Sequence, residues 1–122
     1  MKKEFVFCVC GGRDYANEEY MFEKLDDILS HYKMMCASIA IMSGCASGAD
    51  SLALKWAYDR NVGTREYPAD WKKHGKAAGP IRNRQMLEAG FDVLLAFPGG
   101  RGTRDMIKIT KARGIHVIEF KR

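Results

Sequence analysis

The segment VLLAFPGGRGT, from Val93 to Thr103, constrains the fold of this chain most strongly. An apolar run long enough for one buried strand ends at Pro98 and is followed by a loop with three glycines. A helix is then predicted from Arg104 to Arg113, because apolar side chains recur there at helical spacing. A strand, a glycine loop and a helix in this order direct backbone N–H groups and the positive end of a helix dipole toward an anion.

A second segment, from Ile39 to Asp50, has the same construction: the apolar run IAIM followed by the loop SGCASGAD. Glycines in such loops let a ligand approach the backbone closely and adopt φ values that other residues avoid. One glycine loop by itself is most often a tight turn between a strand and a helix. Two of them in one small chain indicate a nucleotide or another phosphorylated ligand.

Strand-like and helix-like segments alternate along the whole chain. Strands are predicted at 5–10, 39–42, 64–67, 93–97 and 117–120, and helices at 21–32, 49–57, from Pro80 onward and at 104–113, with an irregular stretch at 68–79. The strand runs are continuously apolar, which is typical of a parallel sheet covered on both faces. With right-handed crossovers this predicts a single α/β domain over 1–122, a Rossmann-like doubly wound fold of about five parallel strands with helices on both faces.

In folds of this kind ligands bind beyond the carboxyl ends of the strands, where the strand order reverses. The predicted strands end at four conspicuous loops, which cover residues 11–14, 43–50, 67–73 and 98–103. We therefore expect these loops to converge on one rim of the sheet and to form a ligand site there.

Composition narrows the class of ligand. The 122 residues carry a net charge of +5, which favours anionic partners such as a phosphorylated small molecule or nucleic acid. The four cysteines and three histidines show no metal-site or disulfide spacing, so we predict no metal and no cofactor. The sequence has no signal-peptide pattern and no run of membrane-spanning length, so a cytoplasmic protein without membrane contact is expected.

Standard nucleotide motifs are missing from the loops. The first loop lacks the G-x-G-x-x-G spacing of a dinucleotide site, and no loop ends in the G-K-[ST] of a P-loop, which argues against an ordinary dehydrogenase or ATPase. Arg82 and Asn83 begin a helix, and an arginine there is suited to bidentate phosphate contact. Asp50 either stabilises its helix dipole or contacts a ribose hydroxyl. Trp71 either stacks on a base or covers the core.

Four ordered motifs resemble those of the YspA-like, cpYpsA-related family of the SLOG superfamily: GGRDY at 11–15, SGCASGAD at 43–50, GPIRNR at 79–84 and FPGGRGT at 97–103. The resemblance implies a Rossmann-like domain that senses nucleotide-derived ligands, including ADP-ribose-type signals in bacterial conflict systems. The superfamily also contains the LOG phosphoribohydrolases, which release a base from a nucleoside 5′-monophosphate, and DprA, which binds single-stranded DNA.

The chain departs from the LOG pattern at a position that matters for catalysis. The LOG motif P-G-G-x-G-T-x-x-E ends in a carboxylate, and Met106 stands at that place here. Cleavage of a glycosidic bond needs a carboxylate that stabilises an oxocarbenium-like centre or activates water. Asp105 is one residue away, and we expect it to serve only if the helix were rotated, so the sequence favours binding over catalysis.

The leading hypothesis is a binder of a nucleotide or ADP-ribose-like ligand, acting as a signal sensor or sponge in bacterial or phage conflict and forming a homodimer or larger homo-oligomer. A LOG-like nucleotide N-glycosidase, with Asp105, Asp14 and Arg82 as candidate catalytic residues, is the first alternative. A DprA-like single-strand DNA binder is the second. The predicted ligand-binding residues are Gly12, Arg13, Asp14, Ser43, Gly44, Ser47, Gly48, Asp50, Trp71, Arg82, Asn83, Pro98, Gly99, Gly100, Gly102 and Thr103.

Overall fold

Strands and helices alternate from one end of the computed structural model to the other, and the model describes residues 3–122. The strands are β1 (Glu4–Cys10), β2 (Ser38–Ser43), β3 (Gly63–Glu66), β4 (Val93–Ala96) and β5 (His116–Glu119). The helices are α1 (Glu18–Met34), α2 (Ala49–Asp59), α3 (Trp71–His74), α4 (Ala78–Ala89) and α5 (Arg101–Ala112), with a 3₁₀ turn (Gly75–Ala77) between α3 and α4. None of these helices is long and apolar enough to cross a lipid bilayer.

The five strands form one sheet in the order β3-β2-β1-β4-β5, and every neighbouring pair is parallel. This confirms the predicted fold class. The chain moves outward from β1 through β2 to β3 and then crosses to β4 on the other side of β1. The strand order therefore reverses between β1 and β4, and the loops that follow these two strands lie at the switch point.

Alternate residues of the central strands supply two separate cores. On one face Phe7, Val9 and their neighbours on β2 and β4 pack against α1 and α2. On the other face Val6, Cys8 and Cys10 pack with residues of α4 and α5. After β3 the chain crosses to the other side of β1. As a result α1 and α2 cover one face of the sheet, and α4 and α5 cover the other. Each large apolar side chain buried in this way contributes about 1.5–3 kcal/mol.

Several predicted boundaries were wrong by a few residues. Helix α5 begins at Arg101, not Arg104, so Gly102 lies inside its first turn. Helix α4 begins at Ala78, two residues before Pro80, and the predicted irregular stretch contains α3 and the 3₁₀ turn. Pro80 is tolerated because an N–H in the first turn of a helix has no intrahelical acceptor. The edge strands β3 and β5 also contain exposed residues, unlike the apolar runs that were predicted.

Candidate ligand-binding site

Three of the strand-end loops are joined at Gly12. Its backbone N–H donates to the carbonyl of Pro98 at 2.9 Å, and its carbonyl accepts from the N–H groups of Tyr15 and Ala49, each at 3.1 Å. The loops after β1, β2 and β4 therefore share one set of backbone hydrogen bonds. These three hydrogen bonds form the joint at Gly12, which fixes the positions of the three loops relative to one another.

The joint needs glycines because backbones approach one another closely. A Cβ on Gly12 would lie 3.2 Å from the Pro98 carbonyl oxygen and 2.8 Å from Oδ1 of Asp14. A Cβ on Gly48 would overlap the carbonyl groups of Gly12 and Arg13, and Gly48 also has a φ of +76°, which other residues rarely adopt. Glycine at both positions therefore permits the close approach of the loops.

A cleft of about 540 Å³ opens beside this joint at the carboxyl ends of β1 and β4. Its volume is within the range of small-molecule sites. Ten of the predicted ligand-binding residues line it: Gly12, Arg13, Asp14, Asp50, Trp71, Arg82, Asn83, Gly100, Gly102 and Thr103. The wall also includes residues that the sequence analysis did not select, among them Cys10, Lys76, Met86 and Arg101.

The N-terminus of α5 forms one side of the cleft with unpaired backbone donors. Gly100 is the N-cap and has no side chain to accept a hydrogen bond, and the first N–H paired along this helix is that of Arg104. Within the described chain no group accepts from the N–H groups of Arg101, Gly102 or Thr103. By contrast, the Asn17 side chain caps α1. The α5 end is therefore open to an anion.

Arg82 and Asn83 connect this side of the cleft to the loop after β2. Nη1 of Arg82 donates to the Gly44 carbonyl at 2.6 Å, and Nε donates to Oδ1 of Asn83 at 3.1 Å. Nδ2 of Asn83 donates to Oδ2 of Asp105 at 3.2 Å. Nη2 of Arg82 has no hydrogen-bond partner among residues 3–122, so the guanidinium group is oriented while one nitrogen remains available.

The loop after β2 is held by hydrogen bonds of its own side chains and by contacts with Arg13 and Arg82. The Ser43 hydroxyl group is buried, donates to the Asp50 carbonyl at 3.1 Å and accepts from the Cys45 N–H. The Ser47 hydroxyl donates to the Arg13 carbonyl, and the Arg82 guanidinium covers Gly44. The structure does not bring six of the predicted contact residues to the wall of this cleft: Ser43, Gly44, Ser47, Gly48, Pro98 and Gly99.

Asp50 carries a carboxyl group at the inner end of the cleft. The residue is only 7% exposed, and its Oδ2 accepts from the Ala46 N–H at 3.2 Å. Burial raises the pKa of this carboxyl from 3.8 to about 6, although the Ala46 hydrogen bond and the charges of Arg82 and Arg13 act in the opposite direction. At neutral pH Asp50 is therefore mostly a carboxylate that can accept from a hydroxyl group.

Arg13 and Trp71 close the outer side. The guanidinium carbon of Arg13 lies 4.9 Å from the centre of the Trp71 ring, a cation–π distance. A smaller hollow of about 270 Å³ lies on the β2 side and shares Arg13, Trp71 and Arg82 with the main cleft. Lys76 adds another positive charge to the main cleft. Its place in a lysine-rich stretch was the sequence signal that could have identified it.

Two residues of α5 bear on catalysis. Met106 is 1% exposed and packs in the core under α4 and α5, and it also borders the cleft. Asp105, the neighbouring residue, also lines the cleft. Among the described residues, no three His, Cys, Asp or Glu side chains are grouped to hold a metal ion.

Comparison with known proteins agrees with this architecture. The model of the YspA, cpYpsA-related SLOG family matches residues 6–74, which include the first two glycine loops. The Gene 61 protein of Mycobacterium phage D29 is 37% identical over 119 residues, covering 92% of this chain and 93% of the phage protein. No solved structure matches the chain. Because the family match spans more than half of its residues, the chain belongs to the YspA, cpYpsA-related SLOG family.

Proposed function

We propose that this protein binds a nucleotide or an ADP-ribose-like phosphorylated ligand in the cleft between β1 and β4. The observation that carries the proposal is the open N-terminus of α5, which faces the same cleft as Arg82 and Arg13. Free N–H groups, a helix dipole and guanidinium groups together favour a phosphate. The cleft lies at the switch point, where ligands of doubly wound folds bind.

The charges in the cleft suggest how the ligand is oriented. A phosphate is favoured at the free N–H groups at the start of α5, in the same cleft as the free nitrogen of Arg82. The Asp50 carboxylate would repel a phosphate but accepts from a hydroxyl group. The ligand therefore places its phosphate at α5 and a ribose hydroxyl at Asp50. Membership of a SLOG family supports a nucleotide-derived ligand.

The biological role that we propose is that of a signal sensor or sponge in conflict between bacteria and phages. Two findings support it: the family to which the chain belongs, and its similarity to a phage protein of nearly equal length. In this role the protein holds its ligand without converting it.

Thermal unfolding with a panel of ligands tests the proposed binding. AMP, ADP, NAD, ADP-ribose and cyclic ADP-ribose are compared with adenosine and ribose, which lack phosphate. A true ligand at 100 times its Kd should add about 2.7 kcal/mol to the free energy of unfolding and raise Tm accordingly. A panel in which no phosphorylated compound raises Tm, or in which adenosine does so equally, would contradict the proposal.

A nucleotide N-glycosidase is the second candidate, and the position of Asp105 favours it. The Asp105 carboxylate lies at the cleft wall and is oriented by Asn83, whose amide also lies 3.5 Å from the Gly102 carbonyl. Cleavage of a glycosidic bond needs a carboxylate that stabilises an oxocarbenium-like centre or activates water, and Asp105 offers a carboxylate in the proposed ligand cleft. Arg82 would bind the phosphate in this reaction, and Asp14 lines the same cleft as an alternative carboxylate.

A further inference from the structure

The exposed ring of Trp71 is covered by the side chain of Arg13. Trp71 is 46% exposed and is the first residue of α3, a short helix none of whose residues is buried. The guanidinium group of Arg13 lies over the ring, and no described residue forms a salt bridge with Arg13. The indole therefore does not belong to the hydrophobic core, and the group that lies over its ring is the guanidinium of a solvent-exposed side chain.

Arg13 and Trp71 also stand between two empty spaces. Both residues border the main cleft and the smaller hollow on the β2 side. Displacement of the Arg13 guanidinium would join these spaces beside the indole ring. On the other side, the Trp71 ring edge passes Gly79, where a Cβ would come within 3.5 Å of Cη2. A flat group can thus reach the ring without movement of the sheet or of α5.

We propose that Trp71 is the base-recognising residue of the site, and that a nucleobase replaces the Arg13 guanidinium on its ring. The inference rests on the proposed function and deepens it: the ligand carries an aromatic base as well as a phosphate. Stacking of a base on an aromatic side chain contributes about 5- to 150-fold in affinity, whereas an exposed cation–π contact contributes only about two- to fivefold. The exchange favours the base, and it frees Arg13 to approach the phosphate.

Intrinsic fluorescence offers a direct readout, because the chain has two tryptophans in different surroundings. Trp56 is fully buried and donates through Nε1 to Oδ1 of Asp26 at 2.9 Å, so its emission serves as a constant background. The protein is titrated with AMP, with ADP-ribose and with ribose 5-phosphate, which lacks a base. We expect AMP and ADP-ribose to quench the emission of Trp71, and ribose 5-phosphate to bind without quenching it.

Variants separate the base from the phosphate. Trp71→Ala should weaken AMP binding by about tenfold or more and leave ribose 5-phosphate within about twofold, and Trp71→Phe should restore part of the AMP affinity. Tyr58→Ala removes another exposed aromatic side chain, on α2 and outside the cleft, and should change neither affinity. Circular dichroism checks that each variant is folded.

The outcomes distinguish this inference from the proposed function. Equal affinity of the wild-type protein for AMP and ribose 5-phosphate, or unchanged AMP binding by Trp71→Ala, would overturn base recognition while phosphate binding stands. If neither the nucleotides nor ribose 5-phosphate bind, both the inference and the proposed function are overturned.

Discussion

Asp50 shows how a single buried residue links the stability of this fold to pH. Burial raises the pKa of its carboxyl from 3.8 to about 6. The contribution of this group to stability is complete below the unfolded-state pKa. As the pH rises toward about 6, the unfolded chain loses this proton before the folded protein does. The free energy of unfolding therefore falls, and the contribution is lost once the pH has passed about 6. The difference between these two pKa values corresponds to as much as ~3 kcal/mol of the free energy of unfolding at neutral pH.

Asp50→Asn should therefore raise the free energy of unfolding at neutral pH, by up to ~3 kcal/mol. The amide cannot ionise, and its oxygen can still accept from the Ala46 N–H. Urea denaturation of both proteins between about pH 4 and pH 7 measures the effect, and the variant should lose less stability as the pH rises. If the stability of the variant depended on pH as that of the wild-type protein does, Asp50 would not be the cause of the loss of stability at higher pH.

Met106 occupies the position of the carboxylate in the LOG motif, and we expect the protein to release no free base from AMP during long incubation. Chromatography of the products measures this. Met106→Glu should cost roughly 2 kcal/mol or more in stability, because the side chain is 1% exposed. Base release by the wild-type protein that disappears in Asp105→Asn or Asp14→Asn would contradict simple binding and support the N-glycosidase.

Among the helices, α1 and α5 begin in opposite ways. The side chain of Asn17 accepts from the Tyr20 N–H and caps α1, whereas Gly100 leaves α5 uncapped at the cleft. A capping side chain usually stabilises a helix by about 0.5–2 kcal/mol, so an open end facing a cleft gives up that contribution. An incoming phosphate can supply the missing acceptor.

Gly100→Asp tests the open end of α5. A Cβ at this position meets no other atom within 4 Å, so the variant should fold. Its carboxylate would occupy the free N–H groups and repel a phosphate, which should weaken ADP-ribose binding by at least about tenfold. Calorimetric titration measures the affinity, and Gly100→Asn is the uncharged control, with a smaller loss. Unchanged binding by both variants would place the phosphate elsewhere.

The other glycine loop, between β2 and α2, has a different task despite its similar sequence. The Ala49 N–H at the start of α2 donates to the Gly12 carbonyl, and Gly48 passes directly against the backbone of the first loop. This helix end is therefore used for joining the loops. The two loops therefore differ in the helix that follows each of them: the N-terminus of α5 is open at the cleft, and the N-terminus of α2 bonds to the loop after β1.

At the scale of the whole molecule, a net charge of +5 attracts anions to the entire surface. Binding in the cleft has to be distinguished from this general attraction. Arg82→Ala should weaken ADP-ribose binding by about 1.5–3 kcal/mol, the scale of a charge-assisted hydrogen bond. Arg84→Ala, an exposed arginine on the same helix outside the cleft, and Lys121→Ala should have little effect. Calorimetric titration compares the three, and Arg82→Lys shows whether a positive charge suffices without the planar guanidinium group.

Equal weakening by all three alanine variants would support a diffuse interaction with nucleic acid, as in the DprA-like alternative. A single-strand groove would place several aromatic side chains along a basic track. Trp71 lines the cleft, but Tyr67 packs partly buried against the core. The arrangement of these two rings does not favour that alternative.

The sequence by itself determined the parallel α/β architecture and the position of the rim. Both depend on information carried in short segments: apolar runs of strand length, helical spacing, and glycines placed directly after strands. All five strands were therefore predicted to within one residue at each end, whereas the start of α5 was predicted three residues too late. Ten of the predicted ligand-binding residues lie in the wall of the cleft for the same reason.

Only the tertiary structure decided what each rim residue does. Ser43 and Gly48 look like ligand contacts in the sequence, yet the Ser43 hydroxyl donates to the Asp50 carbonyl. Gly48 packs against the backbone of the loop after β1. The raised pKa of Asp50 and the position of Trp71 beneath Arg13 likewise depend on residues from several loops. Burial and long-range hydrogen bonds exist only once the sheet has brought these loops together, so no local pattern encodes them.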